Sequence, residues 1–444
     1  MFGASKSGSA VAKDPYFSSV VLLLNGEGTD GAQNNTFLDS STNNFTVTRS
    51  ANTTQGSVNP FGSTAPYTTS SDGGSLSFDG SGDYLNVATN AAFGFGTGDF
   101  TIEFWVYPTA SSRQDWVDVT TPGSTRTLVY YTGTAIVFYS QPTNTAAITG
   151  PAITLNTWTY IAVSKISGST KMFVNGTQVG STYATSQNYG TTNQVVVGRD
   201  IGGSTYATGL ISNVRILKGT GLYSANFTPP TAPLTAVTNT SLLLSGTNAG
   251  IYDLSMKSDF ETVGNAQVST TVKKYGTGSI AFDGTGDWLT AQNNTNQQLA
   301  AGDFTIEGWV YVNAIGVPYN IVSKGAAATG WSVGITVANK LQFAYTATGL
   351  TGATSLAAST WYYFTVVRSG SATGNVKLYL NGTLDATSAG AVTDNFNQTT
   401  FMYVGASRLS ATPLNGYIDD LRITKGVARY TADFTAPTQS LPTS

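Results

Sequence analysis

The string F-D-G-S-G-D-Y-L runs from Phe78 to Leu85, and F-D-G-T-G-D-W-L runs from Phe282 to Leu289, 204 residues further on. No other feature constrains this 444-residue chain as strongly, because the copying continues on both sides of the string. G-D-F-T-I-E-F-W-V-Y (Gly98 to Tyr107) returns as G-D-F-T-I-E-G-W-V-Y (Gly302 to Tyr311). K-M-F-V-N-G-T (Lys171 to Thr177) returns as K-L-Y-L-N-G-T (Lys377 to Thr383), and V-R-I-L-K-G-T-G-L-Y-S-A-N-F-T (Val214 to Thr228) as L-R-I-T-K-G-V-A-R-Y-T-A-D-F-T (Leu421 to Thr435). A period this long exceeds solenoid repeats of about 20–50 residues and means two whole domains in tandem, each long enough to bury its own core.

The copies end alike, in F-T-P-P-T-A-P-L from Phe227 and F-T-A-P-T-Q-S-L from Phe434, and open alike, in V-V-L-L-L-N-G from Val20 and S-L-L-L-S-G from Ser241. The expected organisation is therefore a flexible arm over 1–16, a first domain over 17–233 and a second over 234–444. The first copy carries 16 more residues between its opening strand and its F-D-G string, near Asn52 to Thr64, which read as an exposed loop.

Within each copy, short runs rich in β-branched and aromatic residues alternate with Gly, Asn and Ser clusters, and no dozen residues hold a helical period. Asn175-Gly176 and Asn381-Gly382 each sit between two such runs, the signature of a tight hairpin whose central residues need positive φ. The fold class is all-β: two tandem antiparallel β-sandwich jelly rolls.

Composition narrows function. With 0 His and 0 Cys, the commonest general base and every thiolate or imidazole metal site are missing, so a metal here would be a hard ion such as Ca²⁺ on oxygen ligands. A net charge of −3 with only 10% charged residues argues against a nucleic-acid partner, and no apolar run reaches the length of a membrane span. The chain's start shows no hydrophobic leader, so synthesis in the cytoplasm is expected.

The motif order F-D-G-x-G-D-[YW]-L, F-T-I-E-x-W-V-Y, W-x-Y-x-x-V, K-x-[FY]-[VL]-N-G and G-x-I-x-[ND]-[VL]-R-I resembles the laminin-G-like, pentraxin-like branch of the concanavalin A-like lectin and glucanase superfamily. The resemblance covers nearly the whole chain, twice, and implies jelly rolls of two curved sheets. The V-L-L-L-N-G-E-G opening and the K-G-x-x-x-Y-x-x-x-F-T-x-P-T ending look, more narrowly, like versions of this domain in structural proteins of tailed bacteriophages.

Four glutamates occur in the chain, and two are equivalent: Glu103 and Glu307, each mid-strand among apolar residues. Each copy also has one Arg in an apolar strand, Arg215 and Arg422, so a structural Glu–Arg pair inside each sandwich is expected. The rival reading makes the two glutamates catalytic, as in family glucanases with E-x-D-x-x-E, but this chain has no second carboxylate on the strand. Asp79 with Asp83 and Asp283 with Asp287 flank Gly-rich turns that could ligate Ca²⁺, although D-G is also ordinary turn chemistry. Trp105, Trp158, Trp309 and Trp361 repeat between the copies and read as core, whereas Trp116 and Trp331 do not. Arg113, Asp115 and Trp116, the loop residues Arg199, Asp200 and Tyr206, and Trp331 are the candidate glycan-binding residues.

These readings lead to a non-enzymatic virion protein, a tail fibre, adhesin or decoration protein, that docks to other virion subunits and to cell-surface glycans and forms homo-oligomers. A glucanase-like enzyme and a secreted bacterial adhesin of the same fold stand as alternatives.

Overall fold

The computed structural model describes residues 13–62, 67–121, 123–141, 145–325, 330–345, 348–407 and 412–443. Each half is a sandwich of an eight-stranded and a seven-stranded antiparallel sheet. Side-chain alternation decides what lies between them. Along Phe100–Pro108, the side chains of Phe100, Ile102, Phe104 and Val106 enter the core of the first sandwich. Phe304, Ile306, Val310 and Val312 do the same in the second.

The strands that open the two copies have changed places. Val20–Leu24, from the first copy, pairs with Asn415–Lys425 of the second, Leu22 opposite Ile423 and Leu23 opposite Arg422. Thr240–Leu244, from the second copy, pairs with Thr208–Lys218 of the first, Leu242 opposite Ile216 and Leu243 opposite Arg215. One aspartate locks each guest strand: Asp253 Oδ1 accepts from Leu23 N at 3.0 Å, and Asp39 Oδ1 accepts from Leu243 N at 2.9 Å. The boundary at 233/234 thus divides the repeat in the sequence, while each eight-stranded sheet takes one strand from across it.

Two further expectations change. Residues 1–12 of the expected arm lie outside the described residues, but its end is anchored, since the buried Asp14 carboxylate meets Arg422 at 3.0 Å and Arg429 at 2.8 Å. The insertion near Asn52 to Thr64 is not an exposed loop over the part described, because Thr53 to Ser57 are buried at the seam of the two domains. Thr54–Gly56 pairs with Ser75–Asp79, Thr54 Oγ1 donates to Phe260 O at 2.9 Å, and Val58 N donates to Asp259 Oδ1 at 3.0 Å. Its polar residues face backbone groups of the other domain, which is why a hydrophilic segment is buried.

Candidate functional site

Glu103 and Arg215 are cross-strand neighbours, as are Glu307 and Arg422. Arg215 Nε donates to Glu103 Oε1 at 2.7 Å, and Arg422 Nη2 lies 2.7 Å from Glu307 Oε1. The pairs do not lie inside the sandwiches, as expected from sequence, but on the outer face of each eight-stranded sheet. Alternation with the core residues Ile102 and Ile306 turns both glutamates outward, and a bulge brings the arginines to the same side: with Asn213 and Asp420 at positive φ, one extra residue reverses the facing of the arginine that follows. The tail motif covers the pair. Tyr223 stacks on Phe227 at 3.7 Å and donates to Glu103 Oε2 at 2.6 Å, while Tyr160 donates to the same oxygen. Burial, with Glu103 beside them, pushes both phenols up, so they stay protonated donors. Tyr363 and Tyr430 serve Glu307 in the same way. The hairpin Gly176 is required twice over: its φ is +76°, and a Cβ there would lie 1.9 Å from Phe227 O of the tail. Both glutamates are therefore saturated by an arginine and two phenols under a peptide cover.

Five of the predicted glycan residues, Arg113, Asp115, Arg199, Asp200 and Tyr206, converge elsewhere, on the outer face of the first domain's seven-stranded sheet and the loop beside it. Gln114–Thr121 lies between Thr125–Tyr131 and Asn193–Val197, and the loop after the latter folds back toward it. Arg126 holds the loop: its Nη2 is 2.7 Å from Asp118 Oδ2 and 2.7 Å from Asp200 Oδ2. Ile201 N donates to Asp118 Oδ2 at 3.0 Å, and Arg199 bridges to Tyr206 across the loop. The Arg199 guanidinium carbon lies over Tyr84, 3.8 Å from the ring centre; that of Arg113 lies over Tyr130 at 4.5 Å, and Arg113 pairs with Asp115 at 3.2 Å. The Arg113 side chain is 50% exposed. Burial raises the Asp115 carboxyl to about 6 despite Arg113, and raises that of Asp118 despite Arg126. Arg199 Nε and Asp200 Oδ1 have no hydrogen-bond partner among the described residues. The face thus offers guanidinium donors held over aromatic rings, with balanced charge. Asp118, Arg126, Tyr84 and Tyr130 were not singled out from sequence, because nothing local shows that three separate strands place them together. The corresponding strands of the second domain, Tyr319–Lys324 and Trp331–Ile335, carry no aspartate or arginine, so the cluster belongs to one domain.

The tryptophans reverse their expected roles. Trp116 is fully buried, stacked on Tyr131 at 5.9 Å, and Trp331 is buried in the second core, so neither offers a face to a sugar. Trp105, Trp158, Trp309 and Trp361 lie outside the two main cores instead; Trp158 is half-buried against Tyr107 at the rim, and Lys274 sits 4.0 Å over Trp309. Phe100–Pro108 and its neighbours are largely buried on both faces because the tail residue Phe227, against Tyr160, and Phe61 of the insertion, against Trp105, cover the outer face, as Phe434 does against Tyr363 in the second domain.

The Asp turns do not suit Ca²⁺. Asp83 accepts from Asn52 N at 3.0 Å and Asp79 N at 2.9 Å, and Asp79 from Ser81 N at 2.7 Å. Burial raises Asp83 to about 7. Asp287 accepts from Asn265 N and Asp283 N, and Asp283 from Thr285 N, in the same pattern. Oxygens ringed by N–H groups present the wrong polarity to a cation. Among the described residues no three Asp or Glu side chains gather as a metal cluster.

A laminin-G family model, described as concanavalin A-like lectin/glucanases superfamily, matches residues 79–220 and 283–429. No curated protein matches the chain. Among solved structures, domains LG4-5 of the mouse laminin alpha1 chain are 13% identical, covering 77% of this chain and 88% of that one at a TM-score of 0.27. Domain 4 of a GH43 extracellular arabinanase from Geobacillus stearothermophilus, solved with arabinotriose, is 14% identical over 37% of this chain and 77% of that one, with a TM-score of 0.30. The binding domain of Paraclostridial Mosquitocidal Protein 1 is 15% identical with a TM-score of 0.32; the match covers 39% of this chain and 46% of that one, less than half its length.

Proposed function

The chain belongs to the laminin-G family of the concanavalin A-like lectin/glucanases superfamily, and from that premise we propose that it is a non-enzymatic attachment protein of a virus particle. It holds a glycan or protein partner on the outer face of the first domain's seven-stranded sheet. The observation that carries this reading is the Arg113–Asp115 and Arg126–Asp118–Asp200 network, with Tyr84 and Tyr130 beneath two of the guanidinium groups. Stacked, partly exposed guanidinium groups and ring edges suit polar ligands bound one weak contact at a time. Several copies on a particle then raise avidity by roughly 10²–10⁴. The opening and closing motifs that resemble phage structural proteins support the virion setting.

Binding rather than hydrolysis is supported by the two repeated glutamates, which are consumed by arginine and tyrosine. A retaining glycosidase needs two carboxyl groups about 5 Å apart and open to substrate. Asp115 and Asp118 share the proposed face, and Asp115 has a raised pKa, so they are the carboxylates to test. Incubation with laminarin, lichenan and agarose is expected to release no reducing sugar; release abolished by Asp115→Asn would replace attachment with hydrolysis. The attachment reading itself is checked by adsorption to host cells, where an Arg113→Ala/Tyr130→Ala variant with wild-type melting should bind less. Unchanged adsorption would move the site off this face.

A further inference from the structure

A cleft of ≈ 550 Å³ lies where the two sandwiches meet, and the sheet-face cluster takes no part in it. One wall is the rim of the first domain, with Tyr107, Thr109 and Asn156; the other is a second-domain loop, with Gln292, Asn293 and Asn296. Two ionic residues line it, and both are already engaged. Lys257 donates to Ser18 O at 3.2 Å and to Val20 O, on the strand that has crossed between domains. Asp259 accepts from Val58 N at 3.0 Å and from Ser75 Oγ at 2.6 Å. The groups left to a ligand are amides and hydroxyls.

The loop wall is built rather than loose. Asn294 Oδ1 caps the turn Thr295–Gln297, accepting from Asn296 N at 3.0 Å and Gln297 N at 3.3 Å, and its Nδ2 donates to Lys257 O at 3.1 Å. Beside it, Asn293 Oδ1 is buried with no hydrogen-bond partner among the described residues, an acceptor whose desolvation is uncompensated. Opposite, Tyr107 packs on Trp158 at 5.5 Å, which supports its ring at the cleft's edge. A supported ring facing neutral amides, in a volume of the usual ligand-site range, is the chemistry of a polyol.

We propose that this cleft binds a neutral oligosaccharide, at a site distinct from the sheet face. The proposal rests on the glycan-binding reading and adds a second site with a stated selectivity. An anionic sugar is disfavoured, because Lys257 is spent on carbonyls and its charge would find no free cation.

Titration calorimetry on the full chain tests it, with cellopentaose, N-acetylchitopentaose and an arabinan pentasaccharide as neutral probes and a heparin-derived pentasaccharide as the anionic one. At least one neutral probe should bind. Asn296→Trp, an exposed change that fills the mouth, should weaken it about tenfold or more with the melting temperature unchanged, while the surface change Lys340→Ala should not. Binding lost in Arg113→Ala but kept in Asn296→Trp overturns the cleft and leaves the attachment face standing. No binding by any neutral probe overturns this proposal, and with host-cell adsorption also absent, the glycan reading as well. Heparin binding that Asn296→Trp removes would overturn the selectivity.

Discussion

A carboxylate removed from water survives only among donors, and the two equivalent glutamates show how differently one requirement can be met. Arg215 has Glu103 and the carbonyl of Thr235, at 2.7 Å each. Arg422 has Glu307 and also Asp14, which Arg429 shares. Glu103→Gln should therefore cost about 3–5 kcal/mol, as for a buried charge left alone, and Glu307→Gln distinctly less, because Asp14 still faces Arg422. Denaturant titrations of the two variants decide this, with Lys340→Ala as the surface control; a Glu307→Gln variant more damaged than Glu103→Gln would mean that Asp14 does not share the charge. Titration behaviour follows from the same burial. Burial raises Asp420 to about 8 and Asp83 and Asp259 to about 7. A carboxyl whose folded pKa lies above its unfolded value stabilises fully below about pH 4, and that contribution is lost as pH rises through 7 to 8. The melting temperature should thus fall between pH 5 and pH 7.5. Asp420→Asn should flatten the fall, since Asp420 Oδ1 has no partner among the described residues to compensate ionisation. Lys324, pushed down to about 7 by burial, acts with opposite sign and only above that pH.

Among the elements, the exchanged strands carry the largest consequence. Val20 to Leu24 are between 0% and 4% exposed, all against the second domain. At about 1.5–3 kcal/mol for each fully buried side chain, their loss rivals the roughly 5–15 kcal/mol that holds a whole domain folded. Deleting residues 1–24 should leave the first domain folded and open the second, though the deletion touches only the first copy in sequence. Hydrogen exchange checks it: amides of Phe304–Val312 should lose protection while those of Phe100–Pro108 keep it. Protection unchanged in Phe304–Val312 would refute the exchange.

Over the whole molecule, reciprocal strands and a buried insertion couple two repeats that sequence presents as separate units. The seam also holds an ion pair, Arg49 to Glu261 at 2.9 Å. Calorimetry should accordingly show one cooperative transition for the intact chain; two resolved transitions would mean that the exchanged strands contribute little. The cleft at this seam owes its existence to that coupling, since its walls come from different domains. The charged sheet face is different, being the property of one domain alone.

The tandem repeat, the β-sandwich class and the Glu–Arg partnership were legible in the chain, because each rests on local pattern: duplicated strings, alternation with turn residues, and scarce charges at equivalent apolar positions. The run V-V-L-L-L already signals a strand covered on both faces, yet which copy it completes is a matter of long-range pairing between identical candidates, and only the folded chain chooses. The facing of Arg215 and Arg422 was hidden by a one-residue bulge, which reverses parity without marking the sequence strongly. Trp116 and Trp331 were misassigned for a related reason: a tryptophan's neighbours along the strand do not tell whether its side chain points into the sandwich, and both enter the main cores. The gathering of Arg113, Asp115, Asp118, Arg126 and Asp200 was likewise decided in three dimensions, by strand order in the sheet, since residues on separate strands become a site only when hydrogen-bonded neighbours bring them side by side.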